Sequence, residues 1–239
     1  MKIITSWKRF MALGCSHGMY ADPRAIDAIL QFRDKWKPHQ VIHLGDFTDL
    51  SAFMSSGKGG DAVEPDVAGG LNFLHDLRPT VVLAGNHEAR LWREVHSKDD
   101  IYAGYAMRLI KDIEEHCEKR KAKYLPYTGV WQTFPLANYT FTHGTIYNET
   151  AARDMAEMYG NVIFAHTHKV TRATGRRIDS PTGISVGTLT RRACLDYANT
   201  RRSTLGWGQG FVFGYYDDNR LIPWVHEQPH DCHSWILPV

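Results

Sequence analysis

The sequence predicts an α/β fold in which a largely parallel first sheet is followed by a second, mixed or antiparallel one. Three observations carry this. Short apolar runs alternate with longer amphipathic stretches through the first half, the pattern of βαβ units. Each of those apolar runs closes on a glycine. The second half changes to many short β-type runs separated by turns, with one helical stretch among them.

Taken in order, residues 10–13 are apolar and end at Gly14. Asp22-Pro23 then opens a helix to Trp36, with proline at an early helical position. Residues 41–44 form the second apolar run, ending at Gly45. A helix is expected over 66–77, and a third strand over 80–84 ends at Gly85. Helices follow at 88–97 and 101–120. Strand candidates of the second half are 124–127, 130–134, 139–143, 162–165, 184–186, 211–216 and 221–226, with a helix over 149–159. Open α/β sheets bind ligands beyond the carboxyl ends of their strands, so the polar residues just after each run matter most.

Composition sets the frame. A chain of 239 residues with 43% hydrophobic and 23% charged residues can bury one substantial core and reads as a single domain over 1–239. Lysine plus arginine (28) against aspartate plus glutamate (26) gives a net +2, which neither demands nor excludes a nucleic-acid partner. Cys15, Cys117, Cys194 and Cys232 form no CxxC pair, which argues against a disulfide framework and for a reducing cytoplasm. The start resembles a lipoprotein signal at Ala12-Leu13-Gly14-Cys15, but Lys8-Arg9 leave too short an apolar stretch. No run approaches the ~20 apolar residues of a membrane span. The 13 histidines are a high count, unevenly placed, and histidine is the commonest metal ligand.

Five apolar runs deliver metal-competent groups at their ends. They are Cys15 and His17, then Asp46 and Asp49, then Asn86 and His87, then His143, then His166 and His168. His17 and Asp46 lie 29 residues apart, close to the ~30 of one βαβ unit, so the groups can converge. Carboxylate, imidazole and amide oxygen suit divalent first-row metals. Asp46 has two oxygens and can bridge two ions. Ions about 3.5–4 Å apart clamp the attacking oxygen and the phosphoryl oxygens of an ester. An imidazole not bound to metal can protonate the leaving oxygen, and His87 beside Asn86 is the candidate.

The pattern GDxxD, GNHE, xHG and xHTH, in this order from Cys15 to His168, resembles the calcineurin-like metallophosphoesterase family. Residues 185–187 and 207–211 further resemble phage and bacterial members. The resemblance implies a four-layer αββα sandwich of two mixed sheets flanked by helices. It implies a phosphoesterase with two divalent ions (Mn, Zn, Fe or Ni). Cys15, His17, Asp46 and His168 would hold one ion, and Asp46, Asn86, His143 and His166 the other. Asp46, Asn86 and His87 would be catalytic, with Asn86 and His87 contacting substrate; by its position three residues after His87, Arg90 can also reach a substrate phosphate. Cys15 departs from the family's Asp-x-His start; thiolate favours Zn or Fe over Mn or Mg. Either it ligates and changes the metal preference, or it stays a protonated small side chain and that site is weak. Ala165, where the family often has glycine, is a smaller departure.

Each residue also has a plainer reading. Asp46 can cap a helix, and Asp49 reads as an outer partner that orients a ligand rather than as a ligand. A lone His143 is more often structural; it is the joint occurrence that points to metal. His230-Asp231-Cys232-His233 reads as a tail, Cys117 as structural, and residues 111–123 as a solvated face. Gly57-Lys58-Gly59-Gly60 lacks P-loop spacing and reads as a loop. The pairs Arg176-Arg177, Arg191-Arg192 and Arg201-Arg202 serve either substrate phosphates or solubility. Those pairs favour a phosphodiester substrate, with nucleic acid or a nucleotide as the candidate. The alternatives are a phosphomonoesterase or protein phosphatase of the same fold, and a non-catalytic binding module with a site degraded at Cys15. A β-lactamase-like metallohydrolase would require HxHxDH, which is absent.

Overall fold

A computed structural model describes residues 7–54, 63–195, 204–229 and 234–238. The first half folds as β1 (Lys8–Leu13), α1 (Pro23–Trp36), β2 (Gln40–His43), α2 (Val63–Leu77), β3 (Val81–Leu83), α3 (Ala89–Glu94), α4 (Asp100–Lys119) and β4 (Lys123–Leu125). The second half supplies β5 (Phe134–Leu136), β6 (Tyr139–Thr142), α5 (Ala151–Tyr159), β7 (Val162–Phe164), β8 (Val170–Thr174), β9 (Thr182–Val186), β10 (Gly210–Tyr216) and β11 (Leu221–Glu227). The six-stranded sheet runs β11-β10-β1-β2-β3-β4, with β1 to β4 parallel. The five-stranded sheet runs β5-β6-β7-β9-β8; β6, β7 and β9 are parallel, and β5 and β8 are antiparallel edges.

Strand alternation sorts the side chains into layers. Phe10, Ala12, Ile42, Val81 and Leu83 of the first sheet meet Phe141, Ile163, Ile184 and Val186 of the second in the central core. The opposite face of β1 and β2 (Met11, Leu13, Val41) packs on Ala25, Ile29 and Phe32 of α1. Val82 and Tyr124 pack under Leu74, Leu91, Leu109 and Ile113 of α2, α3 and α4. On the far side, Ala152, Met155 and Ala156 of α5 cover Val162 and Phe164. Burying each large apolar side chain stabilises by roughly 1.5–3 kcal/mol. The result is the expected four-layer sandwich of two mixed sheets between helices. Asp22 caps α1 by accepting from the Arg24 amide at 3.1 Å, with Pro23 as the first helical residue.

Three placements differ from the sequence reading. β4 extends the first sheet, and β10 and β11 return to it, with β10 antiparallel to β1. Aromatic packing accounts for the return: Phe211 and Phe213 lie 4.6 and 5.1 Å from Phe32 on α1, and Trp36 lies 5.2 Å from Tyr215. Residues 130–134 are mostly not a strand; a short helical turn, Gly129–Trp131, precedes β5. β8 gives no strand signal in the sequence because VTRAT lacks an apolar run, and three of its five residues are exposed at a sheet edge. Among the described residues, no helix is long and apolar enough to cross a membrane.

Candidate metal centre

The carboxyl ends of β1, β2 and β3 in one sheet and of β6 and β7 in the other open at the same end of the sandwich. The residues that follow them turn sharply. Cys15, His17, Asp46, His166 and His168 all hold φ between 53° and 65°, a left-handed conformation that costs a side-chain-bearing residue of order 1–3 kcal/mol. Such outliers cluster where function requires them. Gly45, at φ 99°, makes the turn into Asp46; a Cβ there would sit 2.6 Å from the Gly85 nitrogen and 2.7 Å from His143 Nδ1. A Cβ on Gly85 would strike the Asp46 carboxylate. The two glycines let the β2 and β3 turns touch, which brings Asp46 beside Asn86.

The turns bring together every residue proposed as a ligand. Donor atoms of Cys15, His17, Asp46 and His168 lie within 4.8 Å of one another, and so do those of Asp46, His143 and His166. His17 Nε2 faces His168 Nε2 at 3.0 Å and Asp46 Oδ2 at 3.9 Å, and Cys15 Sγ is also 3.9 Å from Asp46 Oδ2. On the other side, Asn86 Oδ1 is 2.9 Å from His143 Nε2 and 2.8 Å from His166 Nδ1, while His143 Nε2 is 3.3 Å from Asp46 Oδ2. Asp46 therefore belongs to both groups. A third convergence, of His17, Asp49 and His87, has a different character. There Asp49 Oδ1 lies 2.9 Å from His17 Nδ1 and 3.2 Å from His87 Nδ1. It orients two imidazoles by their Nδ1 nitrogens, leaving His17 Nε2 turned toward His168 and Asp46, and His87 at the cavity wall.

That orientation extends outward. His143 Nδ1 donates to the Leu44 carbonyl at 2.7 Å, so in the neutral ring Nε2 presents its lone pair. The Gln132 side chain donates to the Ala84 carbonyl at 2.7 Å and accepts from the His143 amide at 3.2 Å. Glu88 gathers the amides of Asp46, Thr48 and Gly85 at 2.9, 2.9 and 2.6 Å, plus the Thr48 hydroxyl at 2.7 Å. Asp66 accepts from the Asp49 and Leu50 amides at 3.0 and 2.7 Å. Sequence reasoning missed Gln132, Glu88 and Asp66 as supports. Only Glu88 had a signal, as the last residue of GNHE. His168 Nδ1 has no hydrogen-bond partner among the described residues; the Trp207 ring packs 4.2 Å from that imidazole instead.

Two expected results follow. Asp49→Ala releases His17, while the backbone carbonyl of residue 49 still holds His87 Nδ1, and should lower metal affinity about 10–100-fold, read by metal titration. Glu88→Ala strands buried amides, at about 1–3 kcal/mol for each unsatisfied group, and should lower the denaturation midpoint even with metal absent.

Electrostatics divides the histidines. Burial works against ionising Asp46, but the His143 and His87 imidazoles outweigh it and hold the carboxyl well below the usual range. Asp49 is likewise held low against burial by hydrogen bonds from His17 and His87. Burial disfavours charge on His87 and His143, yet the Asp46 carboxylate raises both. His166 is pushed down to about 4 by burial and by His143. His168 falls well below the ordinary value through burial and His17. Burial and the Asp46 charge raise the Cys15 thiol.

These donors fit a pair of cations. Two carboxylates held low, Asp46 and Asp49, each 1% exposed, lie among the imidazoles. Imidazole nitrogens face each other and a shared amide oxygen at hydrogen-bond distance, with more lone pairs than protons between them. Cations at these positions would satisfy the lone pairs and release the protons.

Over the donors lies a cavity of about 280 Å³, lined by His87, Arg90, Tyr147, His166, Thr204 and Trp207 among others. Arg90 borders it but is 8% exposed; its guanidinium donates to the Asp49 carbonyl at 2.5 Å and lies 3.3 Å from His87 Nε2. Arg176 and Arg177 are not at the site. They occupy the β8–β9 turn at the other end of the sheet, where Arg177 pairs with Asp179 at 2.9 Å. Arg191 is exposed near the site end. Arg201, Arg202, the Arg192 side chain, Gly57-Lys58-Gly59-Gly60 and His230-Asp231-Cys232-His233 lie outside the described residues.

Comparison with known proteins gives a family match. The model of the calcineurin-like phosphoesterase family matches residues 8–182. A search of curated proteins finds no match. Among solved structures, the chain is similar to a novel archaeal phosphodiesterase, at 14% identity over 91% of this chain and 99% of that one, with a TM-score of 0.45. It is also similar to YfcE, a phosphoesterase from E. coli (12%, 90% and 96%, 0.40). A third is zinc-complexed Vps29 from Entamoeba histolytica (12%, 94% and 94%, 0.44).

Proposed function

The chain belongs to the calcineurin-like phosphoesterase family, and on that premise we propose that it hydrolyses phosphate esters at a dinuclear metal site, phosphodiesters in preference to monoesters. The observation that carries the reading is the sharing of Asp46 between two donor groups, with Cys15 and His17 of one each 3.9 Å from its Oδ2 and His143 of the other at 3.3 Å. Cys15, His17, Asp46 and His168 would hold one divalent ion, and Asp46, Asn86, His143 and His166 the other. Bound there, such ions supply Lewis acidity and lower the pKa of water.

The chain's own residues do the rest. His87 Nδ1 is anchored 2.7 Å from the Asp49 carbonyl, and its Nε2 faces the cavity 4.0 Å from Asp46 Oδ2. As the imidazolium, which the Asp46 carboxylate favours, it carries a proton at Nε2 in place of the Arg90 contact and gives it to the departing ester oxygen. Arg90 steers a phosphoryl oxygen with the part of its fork not engaged by Asp49. Among the described residues lining this cavity, Arg90 is the one guanidinium or ammonium side chain. A single such cation suits a diester monoanion better than a monoester dianion, which supports the diester preference.

Cys15 is buried with its sulfur among the first donor group, which supports ligation as thiolate once a cation displaces the proton. Cys15→Asp is then expected to move metal preference from Zn or Fe toward Mn; equal preference in a competitive metal titration would remove Cys15 from the ligands. The functional test strips the protein with chelator and adds back Mn, Zn, Ni or Fe singly. An aryl phosphodiester is assayed beside its monoester. Metal-dependent turnover favouring the diester is expected. A higher kcat/KM for the monoester would reverse the preference, and no turnover of either would refute hydrolysis.

A further inference from the structure

The metal cavity has neighbours. Beyond Trp207, which forms a shared wall, lies a cavity of about 450 Å³ bordered by Arg191, Gln209 and Trp235. On the other side, sharing Met54, Asn86 and Arg90 with the metal cavity, lies one of about 420 Å³ bordered by Arg93 and Tyr127. Small-molecule pockets run from about 300 to 1,000 Å³, so each flanking space holds a sizeable group by itself. A monoester, with one substituent, uses only one of them. A diester with bulk on both ester oxygens uses both.

The linings repeat one chemical theme. Each cavity pairs an arginine with aromatic rings: Arg191 with Trp207 and Trp235, Arg90 with Tyr147 and Trp207, Arg93 with Tyr127. Arg93 and Arg191 are exposed. Among the described residues, the flanking cavities contain one carboxylate, Asp22. Arg24 neutralises it with Nε and Nη2 at 3.2 and 3.0 Å, so no net anionic wall repels a phosphate. Arginine reads phosphate with a planar fork, and an aromatic face stacks an unpaired base whatever its identity. In a duplex those base faces are already stacked on one another.

Resting on the phosphodiester reading above, we infer that the substrate is a single-stranded polynucleotide laid across the three adjoining cavities, cut at the phosphate over the metal centre. Arg93 and Arg191 take phosphates on either side of the scissile one. The aromatic rings between them stack bases without choosing a sequence.

The test is equilibrium binding by the full-length chain in chelator, so that nothing is cut. A labelled single-stranded oligothymidylate is titrated by fluorescence anisotropy across a salt series, with unlabelled single strand, duplex and a phosphoserine peptide as competitors. The expected result is binding that single strand competes for better than duplex or peptide. In Arg93→Ala and in Arg191→Ala, affinity falls several-fold and the slope of log affinity against log salt shrinks by roughly 0.7 per lost phosphate contact. Thermal midpoints confirm that both variants fold. Slopes unchanged in both variants, or better competition by duplex or by the phosphopeptide, overturn the inference. An oligonucleotide that does not bind, while metal-loaded protein turns over an aryl phosphodiester, also overturns it and leaves the phosphodiester reading standing. Failure of the aryl diester with every metal sinks that reading and this inference with it.

Discussion

Asp46→Asn is expected to abolish turnover, by on the order of 10³-fold or more in kcat/KM, because it removes the one carboxylate common to both donor groups. The asparagine keeps an oxygen for the His87 amide, which the Asp46 carboxylate accepts at 3.0 Å, so the β2 and β3 turns stay in place. What is lost is the charge that the two donor groups share. Metal content measured on the purified variant should fall together with activity. An Asp46→Asn protein that binds metal normally and loses less than tenfold in kcat/KM contradicts the shared-carboxylate account. Asp46→Ala serves as the harsher companion, since it also frees that amide.

His87→Ala is the second large effect, expected at about 10²–10⁴-fold in kcat. It differs in kind from the first. His87 belongs to neither of the donor groups assigned to cations, so metal content should hold while kcat falls. The loss should also depend on the leaving group. A proton donor matters most when the departing oxygen is strongly basic, so alkyl esters should suffer more than nitrophenyl esters. Equal losses across a leaving-group series, or loss of bound metal, would assign His87 a ligand or structural role.

Much of this site was legible because its chemistry sits in short, ordered segments. Gly45-Asp46, Gly85-Asn86-His87 and His166-Thr167-His168 each end an apolar run, and strand ends of neighbouring βαβ units lie side by side. The glycines also report their reason for being there: at Gly45 and Gly85 a side chain would collide with His143 or Asp46. Long-range supports were not legible. Gln132 reaches the His143 amide from a short helical turn, and Asp66 reaches the β2 turn from α2. Neither position carries a local pattern that marks it. The same limit explains β10 and β11. Their alternation announced strands, but only the packing of Phe211 and Phe213 on Phe32 decides which sheet they join. Position along the chain misled for Arg176 and Arg177: they follow the last ligand by only a few residues, yet β8 carries them to the far end of the sandwich.

Anomalous diffraction from crystals of the protein loaded with Mn or Zn tests the dinuclear reading most directly. Two peaks about 3.5–4 Å apart are expected, with the Asp46 carboxylate between them. Cys15, His17 and His168 should surround one, and Asn86, His143 and His166 the other. A single peak, or peaks that leave Asp46 outside the coordination of either ion, would contradict the dinuclear reading.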